Sequence, residues 1–379
     1  MKDQININLD RVCALGLEQG VFHGVSAAVS VRGKKGRYRG LFTGGWTRND
    51  EHREAVGRET LFDLASLTKP LCTTLCTLHL VNQGKLTLDT PCRSVLDVHV
   101  PVDKKKITIG HLLAHCSGLP AYRMYFQDVN PVAARKNVLK ILDLILNEPL
   151  LHRPGTTRVY SDFGFILLAA IVEQITGARL EQVFQDMIAA PLHLAADLHF
   201  LPLESTAMMA GRSVAATEHC TWRRKIIQGE VHDEHCWLMG GVSGHAGLFG
   251  TAEAVLRLCE HILEAWQGRV SHMVEMNALI QRALAFANDT GKLRLGFDTP
   301  TSGRSTSGRY FSPRSAGHLG FSGTSFWIDP DQEVIVVLLT NRIHPARTNE
   351  KIKIFRPLFH DELMKAIRAG DIQSFACSR

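Results

Sequence analysis

The stretch Phe62-Asp63-Leu64-Ala65-Ser66-Leu67-Thr68-Lys69 decides how this chain reads, because it sets a serine and a lysine three residues apart at the start of a predicted helix. That spacing puts hydroxyl and amine on one helical face. A serine hydroxyl is a weak nucleophile near neutral pH, so acyl transfer through it needs a base within hydrogen-bond reach, and a desolvated lysine is a candidate. Covalent serine chemistry is the expectation. Composition alone predicts roughly one or two S-x-x-K tetrads in a chain of this length, and Ser66 is the single match, so its setting carries the argument. Leu71, Leu75, Leu78 and Leu80 follow with Thr and Cys between them, and Asn82-Gln83-Gly84 closes the segment. This is the pattern of a buried helix with a glycine C-cap. A serine in its first turn would aim its own N–H outward near the positive end of the helix dipole, where a developing oxyanion is stabilised.

A chain of 379 residues with 45% hydrophobic and 21% charged content buries a large core, in one large domain or two lobes. The formal charge of +6 is spread among interleaved acids without a nucleic-acid-binding motif. A solvated basic surface is expected, with no nucleic-acid partner. Nine cysteines form an odd set with no C-x-x-C pair, and Cys72 and Cys76 fit one buried helical face, so they read as reduced core thiols. The segment from Met1 to Asn8 has no apolar h-region, and no apolar run is long enough to span a bilayer. The expectation is a cytoplasmic enzyme without a membrane partner.

Strand patterns stand at both ends of the chain and helical periodicity fills the middle. After an amphipathic helix near Leu9 to Gln19, Ser26 to Val31 and Tyr38 to Trp46 read as a hairpin around a basic, Gly-rich turn. Residues 71 to 276 are mainly helical, with Val138 to Leu146 and Phe163 to Ile175 the clearest segments. Strands return at His318 to Ser322, Thr324 to Ile328 and Val334 to Leu339, with Asp329-Pro330-Asp331 turning between the last two. The fold class is α/β of the α+β kind: an antiparallel sheet built from N- and C-terminal strands, flanked by helices that include one near Lys351 to Arg368, with an inserted mainly helical lobe. Residues 1–379 read as a single domain, with a sheet lobe from 1–70 and 277–379, a helical lobe from 71–276 and a cleft between them.

Two further elements could complete a site in that cleft. Tyr160 lies in Gly155-Thr156-Thr157-Arg158-Val159-Tyr160-Ser161-Asp162, directly before the apolar helix, where its phenol could act as acid or base beside a cation. An isolated tyrosine more commonly packs its ring and bonds its hydroxyl to backbone. Gly317-His318-Leu319-Gly320-Phe321-Ser322-Gly323 opens a predicted strand whose glycines could let a substrate approach the backbone, or could relieve crowding beneath a helix.

Ser66 to Lys69, Tyr160 and the Gly317 strand, in that order, resemble the serine β-lactamase and penicillin-binding protein superfamily, with its S-x-x-K, Tyr- or Ser-based and K-T-G motifs. The likeness is greatest to the class C β-lactamase-like branch, which includes D-alanyl-D-alanine carboxypeptidases and esterases. It extends from about Val25 to Asn341 and takes in His111 to Pro120, Arg153-Pro154-Gly155 and Gly244 to Thr251. The resemblance implies Ser66 as acylated nucleophile, Lys69 as its proton-accepting partner, Tyr160 as relay and deacylation base, and His318 in place of the K-T-G lysine. The N–H groups of Ser66 and Phe321 would form the oxyanion hole. Asp162 replaces a more usual asparagine on the substrate-binding side, with Gly320 beside it. Leu319 removes the hydroxyl that commonly grips a substrate carboxylate in this family. That would favour neutral esters or amides unless another group, such as Arg342 beyond the last strand, supplies the charge.

Competing constellations read more plainly. His111 and His115 stand four apart but lack the glutamate of a metalloprotease motif, and read as packing and hydrogen-bonding groups. His232-Asp233-Glu234-His235 reads as a cleft rim, a loop anchor or a solvated loop. Gly240-Gly241-Val242-Ser243-Gly244 lacks the Gly-Lys-Ser/Thr of a phosphate cradle and reads as a tight turn where the helical lobe meets the sheet. No metal and no cofactor is expected. The reading is a serine hydrolase acting through an acyl-serine on a small-molecule or peptide substrate, an ester, β-lactam or peptide amide. The alternative is a non-catalytic or weakly catalytic ligand-sensing, penicillin-binding protein of the same fold.

Overall fold

Period-two alternation in the terminal strands produces a sheet with two apolar faces. The computed structural model describes residues 2–33, 36–127, 129, 134–205, 211–269, 272–285 and 294–376. Strands β1 (Gly24–Gly33) and β2 (Gly36–Gly45) form the predicted hairpin. Residues 34 and 35 of its basic turn lie outside the described residues. Short strands follow in the middle of the chain: β3 (Phe62–Asp63), β4 (Leu198–Phe200), β5 (His219–Cys220), β6 (Lys225–Ile226) and β7 (Leu248–Gly250). The C-terminal part contributes β8 (Ala316–Leu319), β9 (Ser325–Asp329) and β10 (Val334–Thr340). These build an antiparallel five-stranded sheet in the order β2-β1-β10-β9-β8, with Ala27 opposite Leu338, Ile335 opposite Ile328 and His318 opposite Phe326. Both termini therefore meet in one sheet, as the strand patterns predict.

One face presents Val25, Ala27, Val29 and Val31 of β1 with Val334, Val336 and Leu338 of β10. It is covered by the terminal helices α1 (Lys2–Glu18) and, at the other end of the chain, the helix Ile352–Ala376. The opposite face presents Ala28, Ile335, Val337 and Leu339 to the helical lobe. Each fully buried Val or Leu contributes about 1.5–3 kcal/mol by removal from water, so a slip of one residue would reverse both faces and is strongly disfavoured.

Within the helical lobe, a π-helical turn over Lys69–Thr74 runs into α2 (Leu75–Asn82), closed by Gly84 in the left-handed region at φ +68° as the sequence implied. Then come α3 (Ile109–Leu113), α4 (Asn137–Asn147), α5 (Asp162–Thr176), α6 (Leu180–Phe184), α7 (Glu234–Leu238), α8 (Ala252–Trp266) and α9 (Asn277–Ala283), with the terminal helix as α10. The eight described cysteines are free and buried, and Cys377 lies outside the described residues. No single helix among the described residues is long and apolar enough to cross a membrane.

Three local expectations change. His111 and His115 do not share a helical face, because α3 ends at Leu113 and His115 adopts φ +55°. The strand expected over 318–322 stops at Leu319, because the Gly320 N–H donates to the Thr324 carbonyl (2.8 Å) and Gly323, at φ +101°, turns the chain. Gly244 packs inside the helical lobe rather than against the sheet. A Cβ there would lie 2.1 Å from the Phe165 carbonyl of α5, while the Thr73 hydroxyl donates to the Gly244 carbonyl (2.7 Å).

Candidate active site

Ser66 sits in a short 3-10 turn, Ala65–Leu67, between β3 and the π-helical turn. Ala65 is held at φ +48°, a left-handed conformation that costs a residue with a Cβ about 1 kcal/mol. Its N–H donates to Asp63 Oδ1 (2.8 Å), and the Thr68 hydroxyl donates to its carbonyl (2.6 Å). The other Asp63 oxygen accepts the His232 N–H (2.8 Å), so one buried carboxylate ties the Ser66 turn to the loop before α7. Burial pushes the Asp63 carboxyl upward, and the two backbone N–H groups and His232 oppose that.

Lys69 is completely buried and projects toward the serine: its Nζ donates to Ser66 Oγ (3.0 Å) and to the His245 carbonyl (3.1 Å), and pairs with Asp162 Oδ1 (2.7 Å). Burial alone would pull its amine down, but the negative charge of Asp162 beside it holds it well above its ordinary value. Lys69 is therefore an ammonium in the resting protein, a charged donor and not the free proton acceptor expected from the S-x-x-K spacing. The physical reason is Asp162, the first residue of α5, which supplies a counter-ion where an asparagine could not.

Tyr160 precedes α5 and lies over the ammonium, with Lys69 Nζ 5.0 Å from its ring centre. Tyr160 is 40% exposed and lines the cavity described below. Desolvation raises its hydroxyl, against the pull of the Lys69 charge and of the neighbouring Ser66. His115 packs on one side of the ring (centres 4.6 Å apart) and His318 on another (5.8 Å). His115 Nδ1 accepts the Ser161 N–H (3.0 Å), which fixes that nitrogen as unprotonated, and burial together with Lys69 holds the ring neutral. This left-handed histidine, and not a second helical ligand, sets the tyrosine loop.

His318, on β8, is 2% exposed. Its Nδ1 donates to the Leu319 carbonyl (2.9 Å), and Nε2 is buried with no hydrogen-bond partner among the described residues. Burial lowers its affinity for a second proton, with Asp298 opposing and Lys69 assisting. Gly320 is sterically required: a Cβ there would meet Thr324 Oγ1 at 2.0 Å and the Leu64 carbonyl at 2.8 Å. The absent side chain lets the end of β8 seat against the Ser66 turn, with the Ser322 hydroxyl donating to the Asp63 carbonyl (2.8 Å). Phe321 falls in the turn after β8, and neither its N–H nor that of Ser66 donates to another group among the described residues.

These residues border a cavity of about 660 Å³, lined by Ser66, Tyr160, Asp162, His318, Gly320 and Phe321 among others. Its far wall carries Tyr122, Met124 and Phe126. The His232–His235 cluster is both rim and anchor. Asp233 caps α7 through the Cys236 N–H (2.8 Å) and pairs with His245 Nε2 (2.8 Å), while Glu234 pairs with Arg347 (2.8 Å) and His232 stacks on Phe321 (5.6 Å). Burial would raise the Asp233 carboxyl, but the charge and hydrogen bond of His245 hold it far below the usual range. Because the His245 carbonyl also receives Lys69, the Asp233–His245 pair positions the ammonium indirectly.

Arg342 does not serve as the substrate group expected from its place after β10. It is buried, with Nε and Nη2 donating to the Phe321 carbonyl (3.0 and 2.8 Å) and Nη1 to the carbonyls of Arg347 and Asn349 (3.1 and 2.7 Å). It braces the Phe321 turn and lies outside the cavity lining. Sequence reasoning missed Asp63, Asp233 with His245, Arg347 and Arg356. Asp63 lies inside the decisive stretch, and its place just before a predicted tight turn was the available signal. The other partnerships join distant segments and leave no mark on local spacing.

The family model described as Beta-lactamase matches residues 9–358. An N-acetylmuramyl-L-alanine amidase of Bacillus subtilis (strain 168) is 32% identical over 354 residues, covering 86% of this chain and 80% of that protein. A Salmonella agona (strain SL483) protein named as a D-alanyl-D-alanine carboxypeptidase is 31% identical over 313 residues, covering 77% and 72%. Among solved structures, EstCE1, described as a hydrolase with promiscuous acyltransferase activity, superposes with a TM-score of 0.71 at 21% identity, over 97% of this chain and 99% of that one. The octameric penicillin-binding protein homologue from Pyrococcus abyssi gives 0.67 at 18% identity, over 88% and 72%. At those identities the structural likeness speaks for the fold.

Proposed function

The chain belongs to the β-lactamase family and is a serine hydrolase of it, and we propose that it acts through an acyl-Ser66 intermediate on an ester, β-lactam or peptide amide. One observation carries this reading: a single buried ammonium, Lys69, touches both Ser66 Oγ (3.0 Å) and Asp162 (2.7 Å) on a cavity bordered by Tyr160. Ser66 Oγ attacks the substrate carbonyl. Its proton passes to the Tyr160 oxygen as the phenol proton moves to the leaving group, so the phenol relays without accumulating charge. The Lys69 ammonium lowers the energy of negative charge on either oxygen during the transfer. The tetrahedral oxyanion takes hydrogen bonds from the N–H groups of Ser66 and Phe321, which are preorganised by the Ala65 turn and by Arg342. Water entering the cavity then attacks the ester, passing a proton to the Tyr160 oxygen as the phenol proton moves to Ser66 Oγ, which departs as the hydroxyl while the carboxylic acid product is released.

The test is rapid-mixing hydrolysis of p-nitrophenyl acetate with intact-mass analysis of the quenched protein. A burst and a +42 Da acetyl adduct in the unaltered enzyme, both lost in Ser66→Ala, are expected for an acyl-serine route. Full turnover in Ser66→Ala would remove Ser66 from the mechanism.

A further inference from the structure

Phe321 supplies one of the two N–H groups of the candidate oxyanion hole, yet it lies in the turn after β8 and is 49% exposed. Such a hole is effective only when both donors are held in place before charge develops, because moving them during the reaction would cost part of what they stabilise. His232 reaches both halves of it. Its backbone N–H donates to Asp63 Oδ2 (2.8 Å), and Asp63 Oδ1 accepts the N–H of Ala65, the neighbour of Ser66 (2.8 Å). Its ring stacks on the Phe321 ring, with centres 5.6 Å apart and planes inclined by 22°. One buried residue therefore spans the hole, its main chain on the Ser66 side and its side chain on the Phe321 side.

The imidazole is itself fixed by a charged cluster. Its Nε2 lies 2.9 Å from Glu218 Oε2, and Arg347 clamps the same carboxylate, with Nε on Oε1 (2.8 Å) and Nη2 on Oε2 (2.7 Å). Arg347 Nη2 also donates to Glu234 Oε1 (2.8 Å), so both of its hydrogens go to carboxylates, and its contact with the histidine Nε2 is longer, at 3.3 Å. Nε2 therefore keeps its own proton and donates it to Glu218. Burial would raise the Glu218 carboxyl, but the hydrogen bonds from His232 and Arg347 hold it down at about 2, so it stays an acceptor near neutral pH. The Arg342 and Arg347 guanidinium groups also pack on the Phe321 ring, 4.9 and 5.9 Å from its centre. Burying two carboxylates at a cavity rim is costly unless each is paired, and here each is.

We propose that His232 is a positioning residue: locked by Glu218 and Arg347, its ring fixes the Phe321 N–H relative to that of Ser66 and so sets the geometry of the oxyanion hole. The inference rests on the acyl-Ser66 reading and deepens it by naming what holds the second donor. The ring acts by stacking and not by moving a proton, so an aromatic ring without nitrogens can take its place.

The experiment compares His232→Ala, His232→Phe and Glu218→Gln with the unaltered enzyme in hydrolysis of p-nitrophenyl acetate and in inhibition by phenylboronic acid, whose adduct with a reactive serine puts a boronate oxygen where the oxyanion forms. His232→Ala should lower kcat/KM about ten- to a hundredfold and weaken the boronic acid by a similar factor, less than the loss of a whole oxyanion donor. His232→Phe should recover most of both, and Glu218→Gln, which loosens the ring without removing it, should cost about threefold or more in each. A His232→Ala enzyme within about twofold of the unaltered one would overturn the proposal, as would a fall in kcat/KM that leaves boronic acid affinity unmoved. His232→Phe as damaged as His232→Ala would overturn it too, and would make the imidazole an acid–base group. Amide hydrogen exchange tests the brace apart from Ser66. In His232→Ala or, if that variant does not fold, in Glu218→Gln, peptides covering 319–325 should exchange faster while those covering 61–66 keep their rate, because the His232 N–H still holds Asp63. Unchanged exchange over 319–325 overturns the proposal whether or not the ester is turned over.

Discussion

Lys69, behind Ser66, and His318, on the cavity lining, are both buried and both basic, yet they carry different charges. Lys69 has Asp162 at 2.7 Å and is held as an ammonium. His318 has no carboxylate within ion-pair distance among the described residues, spends Nδ1–H on the Leu319 carbonyl and is held neutral. Burial pushes both toward the uncharged form. The partner decides the outcome, so a fixed charge lies behind Ser66 while the cavity lining carries a neutral ring whose free Nε2 is an acceptor.

The largest effect expected from breaking this contrast comes from Lys69→Met. It removes the cation that makes proton transfer from Ser66 inexpensive and leaves Asp162 facing the phenol, so kcat/KM for a nitrophenyl ester should fall about 10³-fold or more. A loss below tenfold would show that the ammonium is a structural cation.

Asp162→Asn sharpens the comparison by making Lys69 resemble His318. With the carboxylate gone, burial is no longer opposed by a fixed negative charge beside the amine, so the amine titrates lower. The limb of the pH profile of kcat/KM governed by Lys69 should then move to lower pH, with activity near neutrality changed by about ten- to a hundredfold. An unmoved limb would mean that Asp162 does not set the charge.

The smallest effect belongs to His318→Gln. Because its ring is held below the ordinary histidine value, it gains a proton, and a charge beside Lys69, only as the pH falls through that lowered value. An acid limb in kcat/KM should therefore lie below the usual imidazole range and disappear in His318→Gln, with about a tenfold change or less at neutral pH. An acid limb that survives the substitution would belong to another group.

The sheet was legible because its signal is local: apolar, β-branched strand runs at both chain ends, broken by turn residues, admit few arrangements. The helix behind Ser66 was legible for the same reason, through its leucine pattern and Gly84. Boundaries were less so. Nothing in the spacing of Gly320 and Gly323 tells a continuing strand from a turn, yet that distinction frees the Phe321 N–H. Arg342 and Arg356 show the same limit. Both are arginines near the C-terminus, and only their surroundings show one braced on carbonyls and the other left facing a cavity.

By itself the sequence singled out Ser66, the lysine three residues away, the tyrosine before α5, and the sheet that brings the chain ends together. These follow from periodicity and from spacing along a few turns of backbone. Only the tertiary structure decided charge. It placed Asp162 against Lys69 and spent one histidine nitrogen on a neighbouring carbonyl. Charge state depends on which groups lie within a few ångströms after burial, and such neighbours are brought together by packing, not by order in the chain.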